Sequence, residues 1–327
     1  MGIKSTYSTH QILNSFEKLM GNLQNLLTQQ GKKTNINNTK FGRYHTLLDT
    51  YINRRESSNL SDDDLLNLIG LVAKLNSLNY LFTNECKIEY DDIDLSTIVE
   101  GEANVYDEND RYNDKFFELS MAIRFAKSKG SSANINMKSI CDVIINSKTA
   151  IECKYLHGIN DVRDNLKKSL MQIQKRIDDG LATEGFSAVD VTNLCSKKRI
   201  RNYANTALKM YIDSFEGCYM SKEDIFYNCI SNNNLSRSIS SYATHEASVI
   251  VHKNLDFFRK DKSTLFDRFT DNIHAVVFQV SDSMWLEYED FYAPIQIRGL
   301  EPVFNPNIKE EKIKNIMNDL KNLEVGI

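Results

Sequence analysis

The chain has 327 residues, 41% hydrophobic and 26% charged, so it can bury a sizeable core and is long enough for about two domains. A net charge of −4 is not the footprint of a protein that coats nucleic acid indiscriminately, and three prolines with thirteen glycines argue against long flexible linkers. No run of about 18 uncharged apolar residues reads as a membrane span, and Met1 to Thr6 lack the apolar region of a secretory signal. Met1-Gly2 with Thr6 matches a myristoylation pattern only loosely and is read as chance.

Residues 9–30 carry Ile12, Phe16, Leu19, Leu23, Leu26 and Leu27 at helical spacing, and Gly31 with Lys32 and Lys33 closes the helix. Residues 41–54 read as a short helix. Ser61 can cap the next one, with Asp62, Asp63 and Asp64 at its positive end and a leucine stripe running to about Phe82. Residues 88–111 read as loop or short strand. Asp91, Asp92 and Asp94 there lack the glycine and terminal glutamate of a calcium loop, so they read as solvated. A helix follows over 114–129, with Glu118 near its start, where an acid also suits the helix's positive end.

The stretch from Cys141 to Tyr155 carries the chemistry. Val143, Ile144 and Ile145 predict one strand, Asn146-Ser147-Lys148 a turn, and Ala150 to Tyr155 a second strand. Alternation puts Glu152 and Lys154 on one face and Cys153 on the other, and the hairpin can return Asp142 to the same spot. Two carboxylates suit Mg²⁺, which typically takes one or two and leaves other positions to water and phosphate oxygens. A neighbouring lysine can orient water or stabilise charge on a phosphate. Two other Glu-x-Lys triplets exist. Glu85-Cys86-Lys87 follows a helical pattern and Glu310-Glu311-Lys312 sits in a charged helical tail, and neither has an aspartate about ten residues upstream at the head of a strand-like run. The bland alternative is a surface hairpin with solvated charges.

Residues 161–179 predict a helix with Val162, Leu166, Leu170, Ile173 and Ile177 on its apolar stripe and Arg163, Lys167, Lys168, Gln172, Lys175 and Arg176 around the rest. Gly185 to Thr192 reads as a strand. Lys197, Lys198, Arg199 and Arg201 then form the densest basic patch, suited to phosphates or simply to a solvated turn. Residues 202–260 read as helical with a break at 231–234. Ile273–Val280 is a buried strand and Tyr292–Ile297 another, and Pro302 and Pro306 interrupt before a last helix containing Ile308, Ile313 and Leu320. Six scattered cysteines form no C-x-x-C pair, which predicts a reducing, cytoplasmic setting, with Cys141 and Cys153 as apolar fillers on the strands.

Asp142 followed by Glu152-Cys153-Lys154 resembles the metal-binding signature of the PD-(D/E)xK nuclease superfamily, over about residues 114–193. Cys141 stands where that family often has proline. The resemblance implies an α/β fold with a restriction-endonuclease-like αβββαβ core and its two motif strands side by side. It implies Mg²⁺-dependent cleavage of nucleic acid, usually DNA, with Mn²⁺ as a substitute. Asp142 and Glu152 would hold the metal with Glu118, and Lys154 would position water or stabilise the phosphate. Gln172 or Lys175, and Lys197, Lys198, Arg199 and Arg201, would contact phosphates. The expected layout is an α-helical region over 1–100, a nuclease-like core over 101–300 with a helical insertion at about 196–260, and a helical tail over 301–327. By family analogy the role would be restriction or anti-phage defence, beside a helicase or ATPase partner and compatible with a homodimer. The rival readings are an inactive nuclease-fold protein that binds nucleic acid or a partner, and a helical interaction protein whose hairpin motif is accidental.

Overall fold

The computed structural model describes residues 9–54, 60–100, 111–129, 134–138, 142–215, 217–260 and 269–323; Cys141 lies outside them. The first helices are α1 (Thr9–Gln29), α2 (Lys40–Asp49) and α3 (Asp62–Leu75). Ser61 caps α3 in a reciprocal box with Asp64, as its sequence suggests. The stripe of α1 is buried from Ile12 to Leu27, and Phe16 stacks on Phe41 of α2 at 5.4 Å between ring centroids.

Strand β1 (Ile88–Glu89) and helix α4 (Asp92–Val99) come next. The helix corrects the loop expected here. Asp91 caps it by accepting the Ile93 N–H, and Asp92 and Asp94 occupy its first turn, so the acids are helix-start chemistry rather than loop chemistry. The chain continues through α5 (Arg111–Lys129), β2 (Ile135–Asn136), β3 (Val143–Ile145), β4 (Thr149–Tyr155), α6 (Val162–Asp178) and β5 (Glu184–Asp190). Then come α7 (Lys197–Asp213), α8 (Lys222–Ile230), α9 (Asn233–Lys260), β6 (Ile273–Tyr288), β7 (Phe291–Phe304) and α10 (Glu310–Leu323).

The fold is α/β. Among the described residues, seven strands form one mixed sheet in the order β1-β2-β3-β4-β5-β6-β7, with β4, β5 and β6 parallel at its centre. Strand β6 and its partner are longer than their apolar cores suggest, because they continue as a hairpin to the pair Tyr288–Phe291. Pro302 lies inside β7, opposite Val277, and does not interrupt it. An edge strand tolerates a missing N–H on its open side.

Alternation along the central strands divides the core. Ile151, Cys153, Phe186, Ala188, Ala275 and Val277 pack with α1, α3 and α5 on one face. Val189, Val191, Val276 and Phe278 pack with α6, α7 and α9 on the other. The segment Asp63–Phe82 is long and apolar enough to cross a membrane by composition, but Leu65, Leu68, Leu75, Leu78 and Leu81 are buried in the first of these layers. The helices before residue 100 therefore share one apolar core with the sheet, and β1 sits within it. Deleting residues 9–82 should expose the apolar face of α5 and the central strands. The shortened chain is expected to show no cooperative thermal or urea unfolding transition; a retained sharp transition would mean that these helices only decorate a self-sufficient core.

Candidate active site

The site is built where β3 ends against β4. The hairpin between them turns through Asn146 and Ser147, both at positive φ (54° and 51°), with the Lys148 N–H closing on the Ile145 carbonyl at 3.0 Å. Two successive left-handed residues match the twist of a tight hairpin. The register runs Ile145↔Thr149, Ile144↔Ala150, Val143↔Ile151. One further step sets Asp142 opposite Glu152, where side chains of an antiparallel pair are neighbours. The ladder ends at that point. Asp142 Oδ2 instead accepts the Cys153 N–H at 2.7 Å, so a side chain satisfies the strand edge.

Glu152 has no solvent exposure, and neither of its carboxylate oxygens receives a hydrogen bond from the described residues. Two cations approach it: Lys154 Nζ at 3.6 Å and Arg176 Nε, from α6, at 3.8 Å. The same Lys154 ammonium is 3.9 Å from Asp142 Oδ2, so it stands within reach of both acids. Burial, reinforced by the neighbouring Asp142, pushes the Glu152 carboxyl up to about 8 against the pull of Lys154 and Arg176. Glu118 on α5 receives a 2.6 Å hydrogen bond from Lys115, which also meets Asp94 at 3.3 Å. Burial and Asp142 raise Glu118 to about 7. Asp114, at the start of α5, is raised by burial while His157, 3.9 Å away, opposes the shift.

Asp142, Glu152 and Lys154 thus come together, with Glu118 close enough to Asp142 for their charges to interact. Among the described residues, no three His, Cys, Asp or Glu side chains form a ready-made ion cage. A pair of carboxylates fits Mg²⁺ or Mn²⁺, which complete their shells with water and phosphate oxygens. The buried oxygens of Glu152, without a donor among the described residues, are the observation in favour of that fit, because an acid buried this fully must be answered by a proton or by a cation. Compared with protein-family models, curated proteins and solved structures, the chain matches none.

The remaining sequence candidates are dispersed. Gln172 is half-buried on α6 and Lys175 is exposed in its last turn. It is Arg176, grouped above with the solvated residues, that is buried and reaches Glu152. Its spacing from Ile173 places it on the apolar stripe, and that was the available signal. The basic run is the first turn of α7, capped by Ser196, not a free turn. Arg199 pairs with Glu246 at 2.8 Å and Arg201 with Asp63 at 2.9 Å, so half of the patch is neutralised by the protein itself. Lys198 is exposed, and Lys197 lines a separate cavity. Glu85-Cys86-Lys87 lies in a turn and extended segment before β1, not in a helix.

A carboxyl raised from 4.5 to about 8 holds its proton more tightly in the folded chain. The stability that this proton contributes is complete below about pH 4.5 and is lost as pH rises to about 8. Glu152→Gln should flatten that dependence and, without metal at pH 8, stabilise the protein by about 1–3 kcal/mol, the usual cost of a buried unpartnered polar group. Urea denaturation in EDTA at pH 5 and pH 8 measures it. A Glu152→Gln protein less stable than the parent at pH 8 would show that the Lys154 and Arg176 pairings outweigh burial.

Proposed function

We propose that the protein is a metal-dependent nuclease that hydrolyses phosphodiester bonds, with DNA the favoured substrate. The carrying observation is the buried Glu152 carboxyl, which receives no N–H donor from the described residues, beside Asp142, with one lysine ammonium within 4 Å of both. The element order α5-β2-β3-β4-α6-β5 supports the reading, since it repeats the αβββαβ sequence of the restriction-endonuclease-like core. The motif strands β3 and β4 are adjacent and antiparallel, as that core requires.

Asp142 and Glu152 would hold the metal, which supplies Lewis-acid activation of water and of the phosphate. Lys154 places a positive charge beside them, where it can orient a water or offset charge that develops on phosphate oxygens. Arg176 restrains Glu152 from the α6 side and so acts on position rather than on substrate. Glu118, with its carboxyl at about 7, is able to hold or release a proton near neutral pH. One observation favours a second reading: Lys154 and Arg176 already provide internal counter-charges, which would let an inactive scaffold keep its buried acid.

Purified protein given Mg²⁺ or Mn²⁺ is expected to cut DNA and to stop in EDTA. Glu152→Gln and Lys154→Ala should each lower the rate by about 10²–10³-fold or more, with the fold intact by circular dichroism. Lys87→Ala alters a triplet of the same sequence in exposed chain and should leave the rate unchanged. Binding of DNA or RNA without cleavage, across both metals, would support the scaffold reading instead.

A further inference from the structure

A cavity of about 130 Å³ lies between α3, α5 and the sheet, on the face away from α6. It opens beyond the carboxyl end of β5, the end of a parallel strand where ligands of α/β sheets commonly sit. Its lining mixes apolar side chains such as Leu71, Phe116 and Phe117 with charged and polar ones. Lys74, Arg124 and Lys197 contribute cations, and Asp190 and Asp282 contribute carboxylates. Arg298 on β7 stands behind them, opposite Ser281, close enough that it and Lys74 influence each other's charge. Three lining cations, with Arg298 behind them, thus outnumber two carboxylates.

Those carboxylates are already engaged. Asp190 accepts Gln279 Nε2 at 2.6 Å and the Thr192 N–H at 2.9 Å, and Asp282 accepts the Ser283 N–H at 2.9 Å. The donors are not. Arg124, 3% exposed, gives one hydrogen bond to Gln279 at 2.7 Å and has no protein acceptor for its Nε. Ser283, 8% exposed, has no partner for its hydroxyl, and Arg298 has none for Nε or one terminal nitrogen. Buried guanidinium nitrogens without acceptors are costly unless an anion supplies them.

We propose that this cavity binds a phosphate group, either free phosphate or the monoester end of a small ligand. The excess of positive charge matches an anion. The volume admits one such group with a few waters, and falls short of the roughly 300–1,000 Å³ of pockets that enclose a whole drug-sized ligand. Lys74 and Arg124 are the charged contacts, Ser283 is the neutral donor, and Lys197 stands exposed at the mouth. This goes beyond the nuclease reading and does not depend on it.

Calorimetric titration with orthophosphate, adenosine 5′-monophosphate and adenosine, in EDTA and at constant ionic strength set with chloride, separates the outcomes. EDTA removes any contribution of metal at Asp142 and Glu152. Saturable binding of orthophosphate or the monophosphate, and none of adenosine, is expected. Tighter binding of the monophosphate assigns the ligand as a monoester; tighter orthophosphate assigns free phosphate. Ser283→Ala, which removes a hydroxyl with no hydrogen bond among the described residues, should weaken binding about five- to tenfold, and Lys74→Met more than tenfold. Both are read on protein whose circular dichroism and melting remain those of the parent. Absence of saturable binding by either phosphate, or affinity unchanged in both folded variants, overturns the proposal and leaves an internal polar network.

Discussion

A carboxylate with no exposure in the middle of a sheet is the constraint on which this site depends. Glu152 stands opposite Ser187 of β5, and Ser187 shares a 2.8 Å hydrogen bond with Ser169 of α6. That polar contact and Arg176 interrupt an otherwise apolar helix–sheet interface. An acid there cannot be sheltered by water, so its charge must be answered from within the protein, by a proton or by a bound cation. A carboxyl raised to about 8 gives the proton's answer, and two basic side chains within 4 Å add a partial one of their own. Replacing the acid with an apolar residue would pack more simply, so retention of the charge favours a use for it.

The surrounding elements make that placement rigid. Glu152 and Lys154 lie on β4, which pairs over its whole length with β5 and loses its partner on the other side just where Asp142 enters. The loss matters, because it frees the strand edge for a side chain to occupy. Asp142 is held by the Cys153 N–H, and Glu118 is held by Lys115, which α4 anchors through Asp94. Groups fixed on strands and helices keep their geometry more closely than groups carried on loops.

How legible this was depends on what each residue's signal competes with. The hairpin could be read because alternation, a β-branched run and an Asn-Ser turn agree, and the turn forms at those residues, at left-handed angles. Arg176 was lost because residue type spoke against its position: a guanidinium on an apolar stripe looks solvated until its buried partner is known. Helix α4 was lost because three aspartates suggest a loop, while their physical role is to cap and to face the helix dipole. Pro302 was misjudged because edge and central strands look alike until the pairing order is known. The basic run was overvalued because Glu246 and Asp63, which neutralise two of its residues, are distant in sequence. The polar cavity draws on segments from Asn67 to Ser283, and no local pattern encodes such a gathering.

Helix α5 borders two regions of opposite electrical demand. Asp114 and Glu118 interact with Asp142, on the side where acids are raised by burial and by one another. Arg124, nearly two turns beyond Glu118, interacts with Asp190 and lines the cavity where cations predominate. Burial lowers Arg124 to about 10, still well above neutral, so that side chain remains a cation while its Nε lacks an acceptor. The acidic region is different, since Glu118 at about 7 and Glu152 at about 8 carry protons over much of the neutral range. A divalent cation entering there would displace those protons rather than meet fully formed charges, so protons and metal compete for the same oxygens. Arg124 has no such alternative, because an arginine cannot shed its proton near neutral pH and its Nε lacks an acceptor among the described residues. The acidic region can therefore rest neutral without a ligand, whereas Arg124 keeps its charge.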